Sequence, residues 1–126
     1  MDGTKEVKED KLDVLFRMQA GLDAYIRDKR RLDYTKSEWV CKKALALMVE
    51  LGEVVEEAKY KWWKNGDDID DAKLKEEIVD VLHFFLGMAI DSGMTADELF
   101  DIYLKKNKEN YDRQNGLSAK KGYEVN

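Results

Sequence analysis

Glu77-Ile-Val-Asp-Val-Leu-His-Phe-Phe-Leu-Gly87 is the stretch on which the fold turns. It belongs to a segment, about residues 71–91, where apolar side chains cover most of a helical circumference: Leu74, Ile78, Val79, Val81, Leu82, Phe84, Phe85, Leu86, Met88, Ala89 and Ile90. A helix apolar on so many sides is expected to be central or to lie at a subunit interface. Glu77 and Asp80 interrupt this greasy surface, with Leu74, Val81 and Phe84 beside Glu77 at helical spacing. Burying an unpaired carboxylate is expensive, so the pair asks for a partner that the helix itself does not supply.

Outward from this segment the chain reads as four helices. Leu12, Leu15, Phe16, Leu22 and Ile26 form a stripe that fades in the charged stretch from Arg27 to Asp33. Thr35 followed by Glu38 predicts a capping box. It opens a second helix to about Lys64, with Val40, Ala44, Leu47, Leu51, Val54, Ala58 and Trp62 inward. Asn65-Gly66 would end it in the left-handed conformation. Asp67, Asp68, Asp70 and Asp71 suit the positive end of the third helix. Ser92-Gly93 ends that helix, and Thr95 with Glu98 predicts a second capping box opening a fourth helix to about Arg113. Residues 1–10 read as a disordered lead-in, 11–114 as one all-α domain, and 115–126 as a mobile tail able to close over a site. Short connections between four helices predict a compact antiparallel four-helix bundle. A homodimer is expected, because the third helix offers more apolar surface than one small bundle covers.

The 126 residues include 27 acidic and 22 basic side chains, a formal charge of −5, one histidine, one cysteine and no proline. An acidic balance disfavours binding to naked nucleic acid. Cys41, being alone, excludes an intramolecular disulfide and is expected to be packed. The apolar run Val81 to Ile90 is too short for a membrane span, and Met1 to Lys11 lacks the apolar centre of a secretory leader. The expectation is a cytoplasmic protein with no membrane partner. No Gly-rich phosphate loop is present, which excludes a P-loop site.

Carboxylates carry the chemistry. Glu50 borders Leu47 and Val54, and Glu53 and Glu57 share its side within an arc of about 60°. An antiparallel hairpin turning around residues 65–70 would set Glu53 level with Val81 and Glu57 level with Glu77. Four or five carboxylates then converge within about two turns. Their repulsion would be severe without a cation, and an all-oxygen donor set suits Mg²⁺, with Mn²⁺ as a substitute. Asp80 and His83, spaced i, i+3, also admit a di-iron-type bundle. However, His83 lies about 120° around the helix from Glu77, which favours a packed or orienting histidine. Gln19 takes an apolar position between Phe16 and Leu22, where its amide either fixes helix register or reads the edge of a pyrimidine. Trp62 and Trp63, about 100° apart on a helix, cannot both point inward, which leaves one to stack on a base or pack the bundle. Lys106 follows Leu99, Ile102 and Tyr103 on the inward stripe of the fourth helix, a position from which a cation can meet phosphate.

Taken together, the ordered set Met18-Gln-Ala-Gly-Leu-Asp23, Glu50-Leu-Gly-Glu53, Tyr60-Lys-Trp-Trp63, Glu77-Ile-Val-Asp80 and Lys105-Lys-Asn-Lys-Glu-Asn110, with Arg113 and Gly122-Tyr123, resembles the all-α nucleoside triphosphate pyrophosphatases. The likeness is greatest to the dimeric dUTPases, with MazG-type enzymes as relatives, and it covers about residues 12 to 123. The resemblance implies a Mg²⁺-dependent hydrolase converting dUTP to dUMP and pyrophosphate by attack of water on the α-phosphorus. It implies Glu50, Glu53, Glu77 and Asp80 as metal ligands, with Glu53 also the catalytic residue that orients or deprotonates the water. Gln19, Trp63, Lys106, Asn110 and Arg113 become the substrate-binding candidates. The alternatives are a dCTP-selective or house-cleaning MazG-type pyrophosphatase, a di-iron-type bundle and a non-enzymatic helical module.

Overall fold

A computed structural model of the chain describes residues 8–125. Among the described residues there are four helices: α1 (Lys11–Arg30), α2 (Lys36–Glu57), α3 (Asp71–Asp91) and α4 (Ala96–Gln114). There is no strand among the described residues, and the expected all-α class holds. The chain divides after Gly93 into two compact units, the first holding α1 to α3 and the second holding α4 and the tail. The division falls where Gly93 takes φ +93°, a conformation that side-chain-bearing residues rarely adopt.

Each helix begins on an oxygen-bearing cap. Thr35 accepts from the Glu38 amide at 3.2 Å, Asp70 from Lys73 at 3.2 Å, and Thr95 from Glu98 at 3.1 Å. At the two threonines only this half of the expected capping box is made; the Thr35 hydroxyl instead donates to the Glu38 carboxylate. The reciprocal box is at Asp10 and Asp13, at 2.9 and 3.0 Å. Asp10 and Glu9, which pairs with Arg17, therefore belong to the start of α1 rather than to a loose lead-in. Residues 1–7 of that expected lead-in lie outside the described residues.

Within the first unit the helices alternate in direction. Asp23 meets Lys43 and Arg27 stacks over Trp39, so α1 and α2 run antiparallel. Lys43 meets Asp91 while Glu57 meets Lys73, so α2 and α3 are antiparallel too. Gln19 reaches His83 and Arg27 reaches Asp91, which makes α1 and α3 parallel. The expectation of a central third helix holds in that α3 packs on both α1 and α2. Phe16, Leu86 and Ala89 are buried, yet so are Gln19 and Lys43.

Lys43 is the most unusual residue of this core. Its ammonium lies 2.6 Å from Asp23 and 2.7 Å from Asp91, and Arg27 completes the set on Asp91. Two positive and two negative groups from three helices thus balance, the Asp91 carboxylate being only 5% exposed and the Arg27 side chain 36%. Gly87 makes the crossing possible. A Cβ there would stand 2.9 Å from Lys43 Cδ and 3.2 Å from the Asp23 carboxylate.

Two boundaries differ from expectation. The second helix stops at Glu57, not near Lys64, because Lys59 enters the left-handed region at φ +57°. Tyr60, Trp62 and Trp63 then pack edge to face on each other, with Trp62–Trp63 centroids 4.7 Å apart. The Asn65-Gly66 stop is not used, and Trp62, at 86% exposed, is no part of the core. In the second unit the tail is tied down: Ser118 donates to Glu109 at 2.5 Å and accepts from the Lys120 amide. Cys41, expected to be packed, is exposed. The physical reason is position: it follows Val40 on the flank of the α2 stripe.

Gly87→Ala tests the packing. In an open helix it would raise stability by about 1 kcal/mol through propensity. Here the pinned lysine cannot yield freely, and overpacking is expected to lower stability by about 1–2 kcal/mol, read as a lower Tm. An unchanged or higher Tm would contradict the packing described.

Candidate metal centre

Ion pairs mark how the acidic helices meet at two levels, Lys43 with Asp91 and Glu57 with Lys73. Glu57 comes level with Lys73, 3.2 Å away, instead of with Glu77. Glu50 joins the second acidic pair, and Glu53 is near enough to repel the Glu77 charge. One carboxylate oxygen each from Glu50, Glu77 and Asp80 lies within 4.8 Å of the others. Glu50 and Glu77 are half-buried and Asp80 is exposed, so the cluster has one open side.

Glu53 and Glu57 add charge without joining the cluster. The Glu77 carboxyl is pushed above its ordinary value near 4.5, first by desolvation and then by repulsion from Asp80, Glu53, Glu50 and Glu57. Lys73 is likewise held above its usual value, chiefly by its hydrogen bond to Glu57. Three hard oxygens within such a small span, with excess negative charge around them, fit a divalent cation of the Mg²⁺ type. No thiol or imidazole lies in the cluster. His83 is turned to Gln19 instead, with Nδ1 2.8 Å from its Oε1.

The other sequence-derived site residues divide by location. Gln19 is buried in the first unit, bonded to Asp23 at 3.0 Å as well as to His83. It lines, with His83, Leu15, Met18, Leu82 and Leu86, an apolar groove of about 330 Å³ between α1 and α3. Trp63 is exposed on the connection after α2. Lys106, Asn110 and Arg113 are carried by α4 in the second unit, where Arg113 contacts Glu109 at 3.3 Å and covers the Tyr123 ring. In that unit the Glu109 carboxyl is held below its usual range, chiefly by the Ser118 hydroxyl and also by Arg113.

Sequence reasoning missed Asp23, Lys43 and Asp91. The signals were available: Asp23 falls one turn after Gln19, and Lys43 lies three residues after Val40 and four before Leu47, beside the apolar stripe.

The raised Glu77 carboxyl has a consequence for metal-free protein. Its folded form holds a proton more tightly than its unfolded form, so this group favours folding below the ordinary carboxylate value. That contribution is lost as pH rises through the raised value. With chelator present, Tm should therefore fall across this interval on going to higher pH, and Glu77→Gln should flatten the slope. An equal slope in the variant would contradict the account.

The family described as dUTPase matches residues 11–98. A dCTP pyrophosphatase of Enterobacteria phage LZ5 is 34% identical over 95 residues, covering 73% of this chain and 55% of the relative. A dCTP pyrophosphatase of Enterobacteria phage T4 is 47% identical over 45 residues, 36% of this chain and 26% of the relative. A DNA replication protein of the same phage is 46% identical over 39 residues, 31% of this chain and 10% of the relative. The chain thus spans about a quarter to about half of the length of the two pyrophosphatases it matches. No solved structure matches. With the family pattern running from α1 into the start of α4, through both acidic helices, this chain belongs to the dUTPase family.

Proposed function

We propose that the chain is a Mg²⁺-dependent nucleoside triphosphate pyrophosphohydrolase that converts dUTP and water to dUMP and pyrophosphate. The observation that carries this reading is the approach of Glu50, Glu77 and Asp80 to within 4.8 Å of one another on two antiparallel helices. Bound Mg²⁺ would supply Lewis acidity at the phosphate oxygens and neutralise the departing pyrophosphate. Glu50, Glu77 and Asp80 hold it, and Glu53 completes the acidic surround. Glu53 also orients the attacking water and takes its proton as oxygen bonds to the α-phosphorus. The bond from that phosphorus to the bridging oxygen breaks and pyrophosphate leaves.

For the substrate, Trp63 supplies an exposed aromatic face to a base and Gln19 an amide at the α1/α3 groove. Lys106 and Arg113 are assigned to phosphate, and Asn110 to the base or sugar. The second reading keeps the same mechanism with dCTP as substrate; the names of the two phage pyrophosphatases favour it. We also assign a homodimer, on the ground that Leu15, Met18, Leu22, Leu45, Met48 and Val49 leave large apolar areas exposed on α1 and α2. Sedimentation equilibrium should show a dimer; a monomer at all concentrations would overturn that assignment. A cytoplasmic location fits the substrate.

Pyrophosphate release from dUTP, dCTP, dTTP, dATP, dGTP and UTP, with Mg²⁺ and with chelator, tests the reaction. The expected result is metal-dependent hydrolysis favouring dUTP, and a loss of about a hundredfold or more in Glu77→Gln, corresponding to several kcal/mol of transition-state stabilisation. Selective dCTP turnover would move the substrate and keep the mechanism. No turnover of any triphosphate would overturn the reading.

A further inference from the structure

A continuous polar chain crosses the first unit from α3 to α2: His83, Gln19, Asp23, Lys43. Its links are 2.8 Å, 3.0 Å and 2.6 Å long. Each link constrains the next. A lysine ammonium only donates, and an ionised carboxylate only accepts. Asp23 uses one oxygen for Lys43 and the other for Gln19, so the end of the Gln19 amide facing it must be the NH₂ group. The carbonyl end therefore faces His83 Nδ1, and a carbonyl oxygen only accepts. Nδ1 must then carry a proton. In the neutral ring this leaves Nε2 bare, the reverse of the tautomer that free imidazole side chains prefer in water.

We infer that Lys43 and Asp23 are positioning residues that impose the Nδ1–H tautomer on His83, so that the α1/α3 groove offers a hydrogen-bond acceptor at Nε2. Neither residue lines that groove, whereas Gln19 and His83 both do. Gln19 is only 7% exposed and engaged at both ends, while the His83 ring is exposed, so the ring is the accessible end of the chain. An acceptor on an otherwise apolar wall selects a ligand group that donates. Among pyrimidines this means the N3–H of uracil or the 4-amino group of cytosine, and a tautomer change at His83 alters how the two are distinguished. That specificity consequence rests on the proposed nucleotide hydrolysis; the tautomer itself does not.

Asp23→Asn makes the relay testable with nearly unchanged shape. Lys43 would draw the carbonyl of the introduced amide toward itself, turning the NH₂ of that amide toward Gln19. The Gln19 amide must then flip, present its NH₂ to Nδ1 and move the ring proton to Nε2. Because the sequence has one histidine, a long-range ¹H–¹⁵N spectrum of the full chain at mildly alkaline pH reads its tautomer without assignment. The wild type should show the proton on Nδ1 and Asp23→Asn should show it on Nε2. An Nε2–H wild type, or a folded variant still protonated at Nδ1, would overturn the inference. If the variant does not fold, the wild-type spectrum alone decides. In parallel, the ratio of kcat/KM for dUTP and dCTP should change by about tenfold in the variant, the scale of one mismatched hydrogen bond. An unchanged ratio would refute the specificity role. Hydrolysis of neither nucleotide would refute the proposed function while the spectrum still tests the relay.

Discussion

A buried ammonium holds the first three helices in one register. Lys43 reaches from α2 to Asp23 on α1 and Asp91 on α3, and Arg27 balances the second carboxylate. Such a network is a poor source of net stability, since each charge gives up its hydration. Its value is selectivity among alternatives. Sliding any one helix by a turn would leave a buried charge without its partner, at a cost of about 3–5 kcal/mol. Gly87 is part of the same constraint, because only a residue without Cβ lets the lysine stem pass.

The same two helices carry the acidic cluster farther along their length. Glu50 lies two turns from Lys43 along α2, and Asp80 and Glu77 lie about three and four turns from Asp91 along α3. The same geometry sets Glu57 on Lys73, which removes one negative charge from the cluster's competition. The result is a first unit with two contrasting polar centres. One is internally neutral and closed; the other carries an excess of negative charge and opens to solvent. The first needs no ligand. The second is electrostatically incomplete: desolvation first, and then repulsion from Asp80, Glu53, Glu50 and Glu57, push the Glu77 carboxyl upward.

Much of this was legible in the residues. Apolar periodicity located four helices, and the carboxylates embedded in the α3 stripe marked the acidic centre, because burying a charge is costly enough to stand out against any pattern. The end of α2 was not legible. Lys59 takes a left-handed conformation that lysine has no intrinsic preference for, and the edge-to-face contacts of Tyr60 and Trp62 with Trp63 that follow it are displayed only by the folded chain. In the structure Glu57 pairs with Lys73, and Glu50 joins Glu77 and Asp80. The relay through Gln19 was half legible: the polar residue in an apolar stripe was evident, but its partners sit on other helices and share no local spacing with it.

We propose a divalent cation as the partner of the Glu50, Glu77 and Asp80 cluster. Electron paramagnetic resonance of Mn²⁺ titrated into the protein addresses it without reference to any substrate. The account predicts that the wild type removes the signal of free Mn²⁺ while Glu77→Gln, equally folded, leaves it largely in place. A wild type that leaves free Mn²⁺ untouched, or a Glu77→Gln variant that binds as well as the wild type, would contradict it.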